Sequence, residues 1–495
     1  MTTEYFERTY SAGTRPRAEG LFGLSWVAMV TAGVVIVAVV LTQAIVGLLA
    51  AGVVLGTGVV ITAPLVIQIG GRTGYVRAIL MWQWWRGGRR GEHLYRSGSF
   101  SAIPGGATTL PGLMAPTRMY QGQAVDGRTF GMIHLPKLDE YTIVVRAWPQ
   151  GGEAVDQDLV DQWVAAWGAF LGSLGSAPDV KAIVPVIDTV PETGNRLMSE
   201  VASITRQDAP EIAHTVMWEL AEQLASQRVQ LEPRIAITFE ATTPERRKIP
   251  AEEALEIGRR LPGILAALAE AGIRAEPMTA EQIIAFVRRS YDPAAQADLE
   301  IAATEPEGHG ITWSMAGPQD ERQRYDRLEH AGAVSITWEM TQAPPGVVTE
   351  RVLQRLLEPN PELPRKRVAI VYRPHSAAEA TRIVDDDWRN ARVAEQNTKG
   401  GLVSAAASIR VAGADQARRE QALGHGLTRY GFLITLTVPR GEDIPRIEAL
   451  TQDLSTQARL TIRRCNTYQS AAFAGSLGVG VILPEHATVP EALEG

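Results

Sequence analysis

Between Leu21 and Gly71 the chain has no Asp, Glu, Lys or Arg, a gap of 51 residues in a sequence that is 21% charged overall. Cysteine is almost as scarce. The single Cys465 excludes an intramolecular disulfide framework and a cysteine-based zinc site, and it suits a reducing compartment. Only five lysines occur (Lys137, Lys181, Lys248, Lys366, Lys399), and arginine supplies the remaining cations. That bias, with abundant Ala and Gly, points to a GC-rich bacterial genome.

Signatures of catalysis are missing as well. There is no G-x-x-x-x-G-K-[ST], and neither Gly87-Gly88-Arg89-Arg90 nor Lys399-Gly400-Gly401 substitutes for such a phosphate-cradling loop. H-E-x-x-H and G-x-S-x-G are also absent. The eight histidines are scattered, none at metal spacing. Gly308-His309-Gly310 and Gly424-His425-Gly426 read as turn or loop histidines beside flexible glycines, with nothing nearby to orient a base. Asp385-Asp386-Asp387 reads as a solvated face or a helix start before Trp388, because consecutive helical residues point in different directions. Glu245-Arg246-Arg247-Lys248 reads as an exposed loop. No catalytic, cofactor-binding or metal-binding residue is assigned, and the chain is expected not to be an enzyme.

Charge is unevenly placed. The segment through Arg96 carries net +5, so the remainder of a chain at −7 carries −12. An acidic body is a poor tracker of phosphate backbones, and direct nucleic-acid binding is not expected.

As one helix the charge-free stretch would run roughly 77 Å, more than twice the ~30 Å hydrocarbon core of a bilayer. A break is required, and the polar pair Thr42-Gln43 offers one, giving spans of about Leu24 to Leu41 and Ala44 to Ile69. A cleavable signal peptide fits poorly: the apolar region is too long, begins late and is followed at once by a second one. Arg8, Arg15 and Arg17 precede the hairpin; Arg72, Arg77, Arg86, Arg89, Arg90 and Arg96 follow it. The positive-inside rule then puts both flanks and both termini in the cytoplasm, as a multi-pass protein of the plasma membrane. Gly52 and Gly56 make a G-x-x-x-G suited to close helix approach, Gly47 with Ala51 makes a second small pair, and Pro64 is expected to kink the second span. Beyond it, Tyr75 to Arg86 mixes Trp82, Trp84 and Trp85 with arginines. This reads as a continuation in the headgroup region, aromatic rings at the interface and cations toward anionic lipid.

After a Gly/Pro/Ser/Thr-rich linker, Met119 to Val125 and Arg128 to Leu135 flank Asp126-Gly127, the signature of a hairpin with a tight primed turn. Strands are then expected at Tyr141–Trp148, Val180–Val190, Arg234–Glu240, Val334–Met340, Val368–Tyr372, Gly431–Val438 and Arg459–Arg464. Helices are expected over 155–174, 212–226, 349–357, 444–454 and a long stretch of 376–423 broken near Gly400-Gly401. Pro250 and the capping box Thr279-Ala280-Glu281-Gln282 start helices of a connector, the second ended by Tyr291-Asp292-Pro293. The fold class is thus an α+β cytoplasmic body of repeated β-α-β units preceded by a two-helix transmembrane hairpin. Its regions are a cytoplasmic N-terminal arm (1–23), the hairpin (24–71), an interfacial segment and linker (72–116), a first α+β domain (117–245), a helical connector (246–330) and a second α+β domain (331–495).

The hairpin with basic flanks resembles the small PrgI-type membrane component of type IV secretion and conjugation machines, in an actinobacterial-type protein. The body is similar to the N-terminal, non-ATPase half of the large conjugation ATPases. The residues that carry this are Tyr141-Thr142-Ile143-Val144-Val145, Arg288-Arg289-Ser290-Tyr291-Asp292-Pro293, and the run from Tyr468 to Gly478, where those ATPases usually have proline at the place of Gly478. In that family a Walker-type motor follows; here none does before Gly495. The resemblance implies a non-catalytic membrane-anchored structural subunit, oligomeric with other membrane subunits, acting as platform for a separate ATPase. The expected contact is Tyr468 to Val481, with Phe473 and Leu477 as apolar anchors. Two other readings stand beside it: a subunit of a type VII-like secretion machine, and a membrane-anchored enzyme whose site assembles only in three dimensions.

Overall fold

The computed structural model describes residues 10–11, 26–69, 72–98, 101, 108–150, 155–204, 210–227, 229–344, 347–396, 405–422 and 426–488. The charge-free stretch forms α1 (Trp26–Ile45) and α2 (Leu48–Val66), packed side by side. Both are long and apolar enough to cross a membrane, with mean hydropathy 2.3 and 2.1. The turn lies at Val46-Gly47, not at Thr42-Gln43. Thr42 is satisfied inside the helix, its hydroxyl donating to the Ala38 carbonyl at 2.8 Å. Gly47 takes φ +114°, a conformation open to glycine and costly for other residues.

The contact between the two helices also differs from expectation. Ala51, Gly58 and Leu65, one every seven residues, are the buried positions of α2. A Cβ on Gly58 would collide with the Val35 side chain, whereas Gly52 and Gly56 face open space. Pro64 sits in the last turn of α2, where the chain leaves the helix within two residues. A short antiparallel pair, Gln68–Ile69 with Arg72–Thr73, leads into α3 (Gly74–Arg90).

The body is built on one 13-stranded sheet in which every pairing is antiparallel. In chain order its elements are β1 (Leu94–Arg96), β2 (Arg118–Gln123), β3 (Thr129–Leu135), β4 (Glu140–Pro149), α4 (Gln157–Leu174), β5 (Val180–Pro191), α5 (Asn195–Ile204), α6 (Glu211–Gln227) and β6 (Val229–Glu240). There follow α7 (Pro250–Glu270), β7 (Ile273–Pro277), α8 (Ala280–Tyr291), β8 (Asp320–Gln323), β9 (Leu328–His330) and β10 (Ala333–Gln342). The chain then adds β11 (Lys366–Pro374), α9 (Ala377–Gln396), α10 (Ala405–Ala422), β12 (Thr428–Pro439), α11 (Ile444–Gln457), β13 (Thr461–Arg464) and α12 (Gln469–Ser476). The break expected at Gly400-Gly401 lies outside the described residues.

Strand order runs β1-β8-β9-β10-β12-β11-β5-β6-β4-β3-β2, with β7 added to β4 and β13 to β10. Strands joined through a helical hairpin, β5 with β6 and β11 with β12, pair antiparallel, whereas β4 and β5, joined by the single helix α4, are not neighbours, and neither are β10 and β11. β6 is inserted between β4 and β5, and β12 between β10 and β11. The connector 246–330 supplies three strands that hydrophobic periodicity had not flagged: β7 on one half of the sheet, β8 and β9 on the other. They are short, and β8 reads Asp-Glu-Arg-Gln, so no apolar alternation marks them.

The β2–β3 turn is not a two-residue primed turn. The Ala124 amide donates to the Arg128 carbonyl and the Gly127 amide to the Ala124 carbonyl, closing a three-residue loop in which Gly127 alone has positive φ, +85°. The Arg128 amide bonds to Asp126 Oδ1 at 3.1 Å, so the aspartate organises the loop through its side chain.

Side chains alternate across the sheet with period two. Val144, Ala182, Val184, Ala236, Ala369 and Leu433 point to the face covered by α8 and α12. Ile143, Val145, Ile183 and Ile237 point to the opposite face, against α4 and α7. On that opposite face the second half packs Ile336, Trp338 and Leu436 with Ile447 of α11. The sheet is thus the middle of three layers, and the α8–α12 layer bridges both halves.

Candidate functional site

Two places gather unusual chemistry. The first is the joint between the apolar helices and the body. Immediately after α2, Arg72 donates from Nη2 to the Tyr468 hydroxyl at 2.7 Å and to Glu339 Oε1 at 3.2 Å, with its guanidinium over the Tyr468 ring at 4.9 Å. Glu339 on β10 also accepts from Arg463 Nε of the neighbouring β13 at 2.9 Å. Burial opposes the Arg72 charge, but Tyr468 and Glu339 outweigh it and hold the guanidinium above its ordinary value. Burial pushes the adjacent Cys465 thiol and Tyr468 phenol well up, so both stay neutral.

Next comes α3. Gly74 lies where a Cβ would be 3.0 Å from the Pro64 carbonyl oxygen, and the Tyr75 hydroxyl donates to the Ile61 carbonyl at 2.9 Å. The inner side of α3 meets the body: Trp84 packs edge-on against Tyr325 at 6.4 Å, and Gln83 accepts from Thr488 at 3.2 Å. Its outer side exposes Arg77, Met81, Trp82, Trp85, Arg86 and Arg89. Arg86 lies over the Trp82 ring at 5.2 Å and Arg89 over Trp85 at 3.9 Å. The stretch read as a continuation in the headgroup region is one helix through Arg90, ended by Gly91 at φ +75°.

The second place is the seam where β5 and β11 join the two halves of the sheet, with Arg367 directly opposite Asp188. One carboxylate oxygen, Asp188 Oδ2, accepts from Arg367 Nε at 3.1 Å and Arg234 Nη1 at 3.2 Å. Burial would raise the Asp188 pKa, yet Arg367 and Arg234 outweigh it and hold the carboxyl below its usual range. Arg234 also donates from Nη2 and Nε to the Leu477 carbonyl at 3.1 and 3.2 Å; burial lowers its pKa to about 10. Arg289 of α8 pairs with Glu232. Beside them Arg365, lowered to about 10 by burial, bonds to the Pro293 carbonyl and Gln296. A narrow cleft opens here between Asp188, Thr189, Arg289, Ser290, Arg365 and Arg367.

Tyr468 and the Trp/Arg run fall at the first place and Arg289 and Ser290 at the second; the other residues singled out in the sequence fall elsewhere. Phe473 and Leu477 are fully buried under the sheet and cannot serve as docking anchors: the Phe473 ring lies 4.9 Å from that of Tyr291 and 5.3 Å from that of His330. Gly478 takes φ +70°, a backbone conformation closed to proline. His309 ties its loop to α8, Nε2 against the Glu281 carbonyl at 3.0 Å and Nδ1 accepting from the Ile311 amide at 3.0 Å. His425 lies outside the described residues. Asp385 and Asp386 diverge within α9, toward Arg418 at 3.1 Å and Arg389 at 3.0 Å. The run 245–248 is not a free loop: it is a one-turn helix capped by Thr243, and Arg246 reaches Glu253 and Asp179. Among the described residues, no three His, Cys, Asp or Glu side chains gather as a metal site requires.

A family model described as a domain of unknown function (DUF8461) matches residues 17–76, the stretch that holds both apolar helices. The chain matches no curated protein.

Proposed function

We propose that the chain is a non-catalytic, membrane-anchored structural subunit of a type IV secretion-like or conjugation-like machine, holding a cytoplasmic platform for a separate ATPase. The observation that carries this reading is the Arg72 joint. A guanidinium next to the last apolar turn is bonded to Glu339 on an interior strand of the body's sheet and to Tyr468, which ties the end of the hairpin to the platform. The outer side of α3 supports the membrane end of the reading, because interleaved tryptophan and arginine suit anionic headgroups. Arginine on both flanks of the hairpin supports a cytoplasmic body with both termini inside.

The body is read as two related α+β units. The orders β2-β3-β4-β6-β5 and β8-β9-β10-β12-β11 support this, as do the matching positions of β7 on β4 and β13 on β10. In each unit a helical hairpin separates the last two of these strands, and a helix follows the added one.

Because Cys465 is buried, single-cysteine labelling is clean. In intact cells Val46→Cys, at the turn, is expected to react with an impermeant maleimide and Ser97→Cys is not. Affinity-tagged protein solubilised in mild detergent is expected to carry an ATPase with it, while binding and hydrolysing no ATP itself. External labelling at Ser97 overturns the orientation; a complex lacking any ATPase removes the platform role.

A further inference from the structure

The seam holds more positive charge than its carboxylates use. Four guanidiniums (Arg234, Arg289, Arg365, Arg367) face Asp188, Glu232 and Glu300. Asp188 serves Arg234 and Arg367, and Glu232 serves Arg289. Glu300 is engaged by Thr193 and Gln296. No described carboxylate lies within ion-pair distance of Arg365, whose bonds go to a carbonyl and an amide oxygen. Arg367 is only 6% exposed, and its Nη1 is a buried donor with no partner. Leaving a buried guanidinium donor unmet costs stability that a bound acceptor would restore. Arg365 and Arg367 line the same cleft. The hydroxyls around it are committed elsewhere: Ser290 accepts from Arg367 Nη2 at 2.6 Å and donates to Phe286, and Thr189 bridges to Lys366.

We infer that this cleft is a binding site for a small oxyanion, a phosphate or carboxylate group, taken by Arg365 and the free Nη1 of Arg367. Planar, charge-fixed guanidinium forks suit such a group better than ammonium does. The interior has room on the scale of one water molecule, so an oxyanion enters by its tip and a nucleoside is excluded. Occupancy ties β5, β11 and α8 together, so the ligand stabilises the seam. The inference stands independently of the secretion reading.

The test uses the full chain in a neutral detergent, titrated with sodium phosphate and separately with sodium acetate at constant ionic strength, with a bulky sulfonate buffer as the balancing anion. Thermal unfolding and calorimetry are read for wild type, Arg365→Gln, and Arg86→Gln/Arg89→Gln, which removes the exposed arginines of α3 as a rival site. We expect a saturable rise in Tm of about 2–5 °C with at least one anion. Arg365→Gln should fold, since Arg365 is only partly buried and forms no ion pair with a described carboxylate, and should weaken the Kd at least tenfold. The α3 variant should keep the wild-type response. A response from phosphate alone or acetate alone identifies which oxyanion is the ligand. A linear, unsaturable Tm rise shared by all three proteins means general salt exclusion with only water in the cleft, and overturns the site; so does full binding by Arg365→Gln.

Discussion

Glu140 shows what burial does to a single residue here. Its carboxyl is 3% exposed and pushed up to about 9, first by burial and then by hydrogen bonding and charge from Glu485. The native protein therefore keeps a proton that the unfolded chain releases near the ordinary value of 4.5. The native state binds more protons across that window, so this residue's contribution is complete below about pH 4.5 and is lost as pH rises through about 9. Glu140→Gln keeps the shape and removes the titration. At pH 8.5 it should raise Tm by about 2–4 °C, and at pH 4 it should change little; an equal shift at both pH values in calorimetry would contradict this account. Phe473 makes a second residue-scale case. Fully buried against Tyr291 and His330, it should cost about 3–5 kcal/mol when changed to Ala, seen as a lower denaturant midpoint. An unperturbed midpoint would return it to the surface role first expected. Such features were illegible in the sequence. Asp188 and Arg367 are 179 residues apart, and Phe473 sits in a run that periodicity could place on either face.

At the scale of elements, the strands with long apolar or β-branched runs were legible. Tyr141–Trp148, Val180–Val190, Val334–Met340 and Gly431–Val438 all lie within the strands found, because two buried faces require continuous apolar sequence. The hairpin was legible as well, but its turn was misplaced because Thr42 can satisfy itself within a helix and Gly47 can accept φ +114°. The contact face was misread for a related reason. G-x-x-x-G marks a place where helices can approach, and which glycine is used depends on how the turn rotates the second helix. Gly58→Leu should therefore disturb the α1–α2 contact, lowering thermal stability in detergent by about 1–3 kcal/mol through overpacking against Val35. Gly52→Leu, facing open space, should be neutral. If both variants melt alike, Gly58 is not the contact glycine of the isolated chain.

On the scale of the whole molecule, the question is whether the two α+β regions separated by the connector behave as two folding units. Sequence reading separates them at residues 246–330, and each half does have its own cluster on one face of the sheet. On the other face they share one. Val144 and Ala236 from the first half pack with Ala369 and Leu433 from the second, beneath Ile283 and Phe286 of α8 and Phe473 of α12. Backbone pairing crosses the same line, β5 against β11 from Ile183–Tyr372 to Asp188–Arg367. Ionic contacts cross it too, since Arg234 of the first half and Arg367 of the second share Asp188. Opening the seam would unpair two central strands, expose part of that shared core and leave buried charges uncompensated, each a penalty of several kcal/mol. A state with one half folded and the other open is therefore disfavoured, although chains this long commonly populate intermediates. Hydrogen exchange along a urea series should give one common midpoint for amides of β5 and β6 and of β11 and β12. The peripheral strands β2 and β8, far from the seam in strand order, should exchange earlier. Arg367→Leu, which leaves Asp188 with one arginine, should lower that midpoint for both halves together. Two midpoints, with only β11 and β12 responding to the variant, would mean that the halves are independent domains joined only by their edges.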